Sequence, residues 1–319
     1  MQIILWSLVL IASVCAAHWG SDQLAEPLEK LRRQWGLSEA AGAAFVALAT
    51  ASPEVGTNTA AALRGLSDIG LGNLLGSNII SVPAIVLVSY LASRNVGDNN
   101  YIEVKIEALN VQAIPYILII ILAAILTVPA PWRGLQPIDG WVMLAAYFIY
   151  LAQAILRERQ SGKKVRWQKG EILVAIAGAL GLAIAAYFIV TATERLVSLL
   201  GISQIIGGLF ITSTLSIAPE VFATWSVAKS GQVTAATTSV IADNTATMTL
   251  ALFPLALVGL QIQDFHLFTV NLLFVALLGI VYAAFIRWGK QKNSFELWEV
   301  LSLIVIYLIY LAIMIFVIL

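Results

Sequence analysis

Residues 42–55, GAAFVALATASPEV, and residues 208–221, GLFITSTLSIAPEV, decide how this chain is read. Each is an apolar run of the kind that crosses a bilayer as a helix. Each is also interrupted by a Pro-Glu pair, Pro53-Glu54 in the first and Pro219-Glu220 in the second. A carboxylate at membrane depth costs roughly 2.5–3.5 kcal/mol on insertion scales, so it is rarely there without a task. The proline beside it lacks an N–H and clashes with the carbonyl four residues back, here Ala49 and Leu215. The pattern predicts two helices broken where the acid sits, each offering freed carbonyls and one carboxylate to a hard cation.

The surrounding composition fits that reading. Of 319 residues, 60% are hydrophobic and 11% charged, where a soluble domain carries about 25% charged residues. Mean hydropathy is +0.90. Spans of about 20 apolar residues predict an all-α polytopic membrane protein with ten helices. Their expected positions are 2–30, 37–63, 69–92, 110–129, 138–157, 170–198, 203–229, 233–260, 266–287 and 296–318. A polar, basic stretch at 157–169 (RERQSGKKVRWQK) separates a first half, 1–156, from a second, 170–319. The segment Ile3 to Ala17 resembles a signal-peptide core, but no basic residue precedes it, so it is read as a retained first helix. A net charge of zero gives no reason to expect a nucleic-acid partner, and a single cysteine, Cys15, excludes an intrachain disulfide. No Walker-type loop suggests ATP, and no catalytic constellation suggests an enzyme.

Basic residues set an expected orientation. Loops after odd-numbered helices hold fifteen of the eighteen Lys and Arg residues, and loops after even-numbered helices hold only Arg64, Arg133 and Arg195. The positive-inside rule then places both termini outside the cytoplasm, and with no organelle signal evident the plasma (cell inner) membrane is the expected location. The halves repeat: a shift of 166 residues superposes Gly42 on Gly208, Thr50 on Ser216, Pro53-Glu54-Val55 on Pro219-Glu220-Val221, Gly65 on Gly231 and Asn78 on Asn244. Five helices per half is an odd number, so the copies enter the membrane from opposite sides. That is an inverted repeat, an architecture many secondary transporters share.

Four segments carry the polar residues unusual for a membrane helix. Thr50 and Glu54 mark the second helix, and Ser216 and Glu220 the seventh. On the third, Asn73, Ser77 and Ser81 recur at i, i+4 and i+8 and share a face, and Ser239, Asp243 and Thr247 do the same on the eighth. Such an oxygen-only set suits Ca²⁺, Mg²⁺ or Na⁺. His18 and His266 read as interfacial residues, and Gly72 and Gly76 as points of close helix contact.

At these residues the chain resembles the calcium/cation antiporter superfamily, the relatives of the sodium/calcium exchangers. The string Gly72-Asn73-Leu74-Leu75-Gly76-Ser77-Asn78-Ile79 matches that family's first repeat closely; the second, through Asp243-Asn244-Thr245, matches less. The resemblance implies that Glu54 and Glu220 ligate calcium, that Thr50 and Ser216 give oxygens to calcium and sodium, and that Ser77 serves sodium. It implies exchange of Ca²⁺ for Na⁺ by alternating access, with the ions as cargo and no other cofactor. Departures bear on the counter-ion: Ala51 and Ile217 replace hydroxyl residues, Ser81 stands where the family often has Asn, and Asp243 occupies the position equivalent to Ser77. A Ca²⁺/H⁺ antiporter of the same fold is the nearest alternative, and a cation channel one of a different class. Nothing in the pattern fixes an oligomeric state.

Overall fold

The computed structural model describes residues 1–36, 47–94, 101–104, 109–129, 133–157, 165, 169–229, 231–289 and 293–318. Within them the chain forms ten helical rods. They are α1 (Gln2–Trp35), α2 (47–50 and Ser52–Leu63), α3 (Ser67–Ser93), α4 (Leu109–Thr127), α5 (Pro137–Arg157), α6 (Lys169–Leu200), α7 (Gln204–Lys229), α8 (Val233–Leu257), α9 (Phe265–Trp288) and α10 (Leu297–Phe316). All but α2 and α5 are long and apolar enough to cross a membrane by their described residues. Four rods contain a wider π-helical turn, at Leu109–Ala113, Gly207–Thr212, Thr247–Ala251 and Met314–Ile318. The start of the second predicted helix, residues 37–46 with Gly42, and most of the basic stretch 157–169 lie outside the described residues.

The 166-residue repeat reappears as three pairs of equivalent contacts. After α2, the Gly65 and Leu66 amides bond the carbonyls of Ala62 and Ala61; after α7, the Gly231 and Gln232 amides bond those of Ala228 and Val227. Both turns need a left-handed residue, and glycine supplies it at φ +69° and +88°. At the centre, Asn78 donates to Thr247 Oγ1 at 2.9 Å, and Ser81 donates to Asn244 Oδ1 at 3.0 Å. Each of these bonds is the image of the other under the shift. Two short antiparallel ribbons complete the set. The strand β1 (Tyr101–Glu103), after α3, pairs with β4 (Ser294–Glu296), after α9, and β2 (Gly134–Leu135), after α4, pairs with β3 (Leu260–Gln261), after α8. Exchanging the halves exchanges the ribbons. One draws together loops after odd-numbered helices and the other loops after even-numbered helices, as ten alternating spans require.

Burial sorts the rods into core and periphery. In the most apolar windows of α3 and α8, 72% and 78% of residues are buried, against 28% and 22% in α1 and α6. Gly72 explains the central position of α3: a Cβ there would meet Gly208 Cα of α7 at 3.0 Å and collide with the Ile205 carbonyl. Gly76 stands equally close to Ser213, so both glycines do serve close helix contact. The peripheral helices α1 and α6 pack along each other through Leu10, Val14 and Ala17 against Ala185, Ile189 and Ala192. Gly20 and Gly178 let them approach, with a Cβ on Gly178 only 2.8 Å from the Gly20 carbonyl, and Lys30 pairs with Glu171. Their outer faces, including Ile4, Leu8, Leu173, Leu180 and Ile184, are left for lipid.

Candidate cation-binding site

The first Pro-Glu element breaks its helix as expected. Ala51 interrupts α2, and Pro53 falls in the first turn of the segment that follows, where no backbone donor is needed. The freed Ala49 carbonyl is nevertheless not idle. It accepts from Ser52 Oγ at 2.6 Å and from Ser21 Oγ of α1, a correction to the expectation that it is left for a cation. The second element departs further from expectation. The α-helical part of α7 runs without a break from Ser213 to Lys229 through Pro219, and the irregularity lies about two turns earlier, at the π-helical Gly207–Thr212. A wider turn carries its own unpaired groups, and such turns are frequent at functional sites.

A cavity of about 720 Å³ opens beside both elements. Thr50 and Pro53 of α2, Ser216, Pro219 and Glu220 of α7, and Ser239 and Asp243 of α8 line it. Glu54 lies just behind Pro53, 2% exposed, with one carboxylate oxygen lacking any hydrogen-bond partner. One oxygen of Asp243, 7% exposed, is also unpartnered. The acids are neighbours: Glu54 and Glu220 each lie within electrostatic reach of Asp243, and Glu220 within reach of Glu54. Hydroxyls cross between halves, with Ser216 facing Glu54 and Thr50 facing Asp243. Among the described residues no three acidic, histidine or cysteine side chains close to metal-coordinating distance. The arrangement is an open cluster of acids with unfilled valences rather than a tight cage.

The remaining expected residues are placed differently. Asn73, Ser77, Ser81 and Thr247 are buried and do not line the cavity. Ser77 donates to its own helix at Leu74 O, 3.1 Å away, and Ser81 and Thr247 are engaged with Asn244 and Asn78 across the repeat axis. Asn73 stands apart, with neither its amide oxygen nor its nitrogen partnered. Conversely, the sequence reading missed His18, Ser21 and Asp22 of α1, which line the cavity, as do Thr57, Thr212 and Thr224. The i, i+4 spacing of His18 and Asp22 was visible, but α1 carried no Pro-Glu pair to draw it into the site.

The cavity is open at one end. Gly231, Gln232 and Thr234, in and just after the α7–α8 turn, border it with Asp22. At the α2–α3 end, outside the cavity lining, Arg64 ties α2 to α6. Its guanidinium donates to Thr191 Oγ1 at 2.7 Å and Glu194 Oε2 at 2.6 Å on α6, and sits 5.1 Å over the Tyr187 ring.

The family model described as sodium/calcium exchanger protein matches residues 5–156 and 170–316, nearly the whole chain. The chain belongs to the sodium/calcium exchanger family. An uncharacterized membrane protein of Methanocaldococcus jannaschii is 25% identical over 218 residues, covering 66% of this chain and 68% of that protein. The sodium/calcium exchanger MaX1 of Methanosarcina acetivorans is 34% identical over 87 residues, spanning 27% of this chain and a quarter of MaX1. In fold, the sodium-calcium exchanger NCX_Mj, in crystals soaked with Na⁺ and Sr²⁺, superposes with a TM-score of 0.67 at 22% identity, over 97% of this chain and 99% of that one. The H⁺/Ca²⁺ exchanger CAX superposes with a TM-score of 0.74 at 13% identity, over 99% of this chain and 81% of that one. This exchanger-family chain therefore shares its architecture with proteins named for two different counter-ions.

Proposed function

We propose that the chain is a secondary-active antiporter that exchanges Ca²⁺ for Na⁺ by alternating access, not an enzyme. The observation that carries this reading is the meeting of Glu54 and Glu220, one from each repeat, with Asp243 beside one cavity. An empty cluster of carboxylates at membrane depth is costly through desolvation and mutual repulsion. One Ca²⁺ relieves both, and so do several Na⁺. A site that closes only when neutralised makes exchange obligatory, because the empty site cannot return.

The same reading assigns roles in the cluster. Glu54 and Glu220 hold Ca²⁺ between them, with Thr50 and Ser216 adding oxygens. Asp243 and Ser239 complete a monovalent-ion site, and Asn73, Ser77, Ser81 and Thr247 act as a second layer behind it. The halves 1–156 and 170–319, joined by the basic linker 157–169, alternate the side on which the cluster opens. By the distribution of Lys and Arg, the α7–α8 turn faces the cytoplasm of a plasma membrane, so the open cavity is the inward-facing state and both termini are extracytoplasmic.

Calcium uptake into proteoliposomes under imposed Na⁺, K⁺ or H⁺ gradients tests the proposal. Uphill Ca²⁺ movement driven by Na⁺ supports it, and dissipation of every gradient without uphill movement, the behaviour of a channel, refutes it. Two observations favour a second reading, Ca²⁺/H⁺ exchange. Ala51 and Ile217, both buried, stand where sodium-binding hydroxyls are expected, and Asp243 adds a third acid. Under that reading a pH gradient alone drives uptake, and Asp243→Asn removes the proton dependence while Ca²⁺ still binds.

A further inference from the structure

Asp22 belongs to no part of the cluster described above, yet it lines the same cavity. Its side chain is 61% exposed, and it sits on α1 opposite the α7–α8 turn, where Gly231, Gln232 and Thr234 border the mouth. The acids thus form a series of decreasing exposure, from Asp22 at the rim, through half-buried Glu220, to Asp243, which is 7% exposed with an unpartnered oxygen. No Lys or Arg is among the described residues that line this cavity. That absence runs against the surroundings, since most of the chain's basic residues fall in loops on the face bearing the α7–α8 turn. A divalent cation approaching that face meets an excess of basic over acidic loop residues, whereas the lining of this opening carries acids and no base. Clefts lined by one sign of charge focus the field and raise the local concentration of the opposite ion.

We infer that Asp22 forms a rim subsite for a hydrated divalent cation, which recruits it into the cavity before it reaches Glu220 and Asp243. The inference rests on the proposed transport of Ca²⁺. His18, one turn back on α1 with Nε2 3.8 Å from Asp22 Oδ1, is a titratable neighbour on the same helix. Because Asp22 is carried by a peripheral helix at the edge of the open end, the subsite serves one face of the membrane only. It acts through attraction across water, so its effect is on half-saturation rather than on maximal rate and disappears on screening.

The test is Ca²⁺ flux in right-side-out and inside-out vesicles at pH 8, where an imidazole is ordinarily uncharged. Choline chloride is raised from about 10 mM to about 1 M, so that the screening length falls from about 30 to about 3 Å. Asp22→Asn is expected to raise the half-saturating Ca²⁺ about three- to fivefold at low salt on the face bearing the α7–α8 turn, with maximal rate unchanged. At high salt the difference closes, Asp22→Glu restores the wild-type value, and Asp22→Lys exceeds the effect of Asn. Equal half-saturation in wild type and Asp22→Asn at low salt overturns the subsite, as does a change that persists in high salt or appears on both faces. Absence of Ca²⁺ flux in the wild type overturns the antiporter reading itself and the subsite with it, an outcome distinct from active transport indifferent to Asp22.

Discussion

Two asparagines five residues apart in one motif, Asn73 and Asn78, are predicted to fail in opposite ways. Asn78 Nδ2 donates to Leu74 O at 2.8 Å and to Thr247 Oγ1 at 2.9 Å, and its Oδ1 accepts from the Tyr116 hydroxyl at 3.1 Å. Within membranes a side-chain hydrogen bond is worth on average about 0.6 kcal/mol, so three amount to roughly 2 kcal/mol. Asn78→Ala also takes one partner from the fully buried Tyr116 hydroxyl, which keeps Asn244 within reach, so the added cost is at most on the order of 1 kcal/mol. Asn73 is as deeply buried, but its amide has no protein partner, so Asn73→Ala removes no bond. The assay is the unfolding midpoint of each purified variant in detergent without Ca²⁺, paired with Ca²⁺ binding. Asn78→Ala is expected to lose about 2–3 kcal/mol of stability, a shift of several degrees. Asn73→Ala is expected to stay within about 1 kcal/mol of wild type while weakening Ca²⁺ binding. If Asn73→Ala unfolds as readily as Asn78→Ala, or Asn78→Ala is as stable as wild type, the division of labour between repeat contact and cation cluster is mistaken.

Two further substitutions probe the frame that holds the cluster. Gly208→Ala places a Cβ 2.7 Å from the Asn73 backbone nitrogen and against the α3 main chain, which cannot yield. A loss of at least about 2 kcal/mol, or failure to insert, is expected and is read from thermal unfolding and membrane yield. Arg64→Ala, in a background with Cys15 replaced, removes the tie between α2 and α6 at the α2–α3 end. Its ion pair with Glu194 is partly exposed and worth on the order of 1 kcal/mol. A cysteine at Thr57, which is 2% exposed, should then react severalfold faster with a thiol reagent added from the α2–α3 side. Unchanged labelling would leave Arg64 without a role in closure.

Much of this structure was legible because the unusual residues are unusual for a stated physical cost. A glutamate beside a proline in an apolar run announces a site, and the residues that the shift of 166 aligned take equivalent places, Gly65 and Gly231 in left-handed turns and Asn78 against Asn244. Less legible was the difference between two neighbouring polar residues on one helical face. Asn73 and Ser81 share spacing and chemistry, yet Ser81 is consumed by a bond to Asn244 and Asn73 is not. Only the crossing of α3 over α8 decides that. The proline rule held for Pro53 but not for Pro219, where tertiary packing carries the helix through and the local irregularity moves to the π-helical turn before it. Asp22 was overlooked, and His18 was read as an interfacial residue, because α1 carries no polar stripe like those of α3 and α8.

The central claim is that the two glutamates bind one divalent cation jointly. It is tested most directly by Ca²⁺ binding to purified Glu54→Gln and Glu220→Gln variants, each shown to be folded by its unfolding midpoint. Joint ligation predicts that either substitution alone lowers affinity by at least about a hundredfold, and that the double variant is little worse than either single one. Near-wild-type Ca²⁺ affinity in one of the single variants would contradict the account.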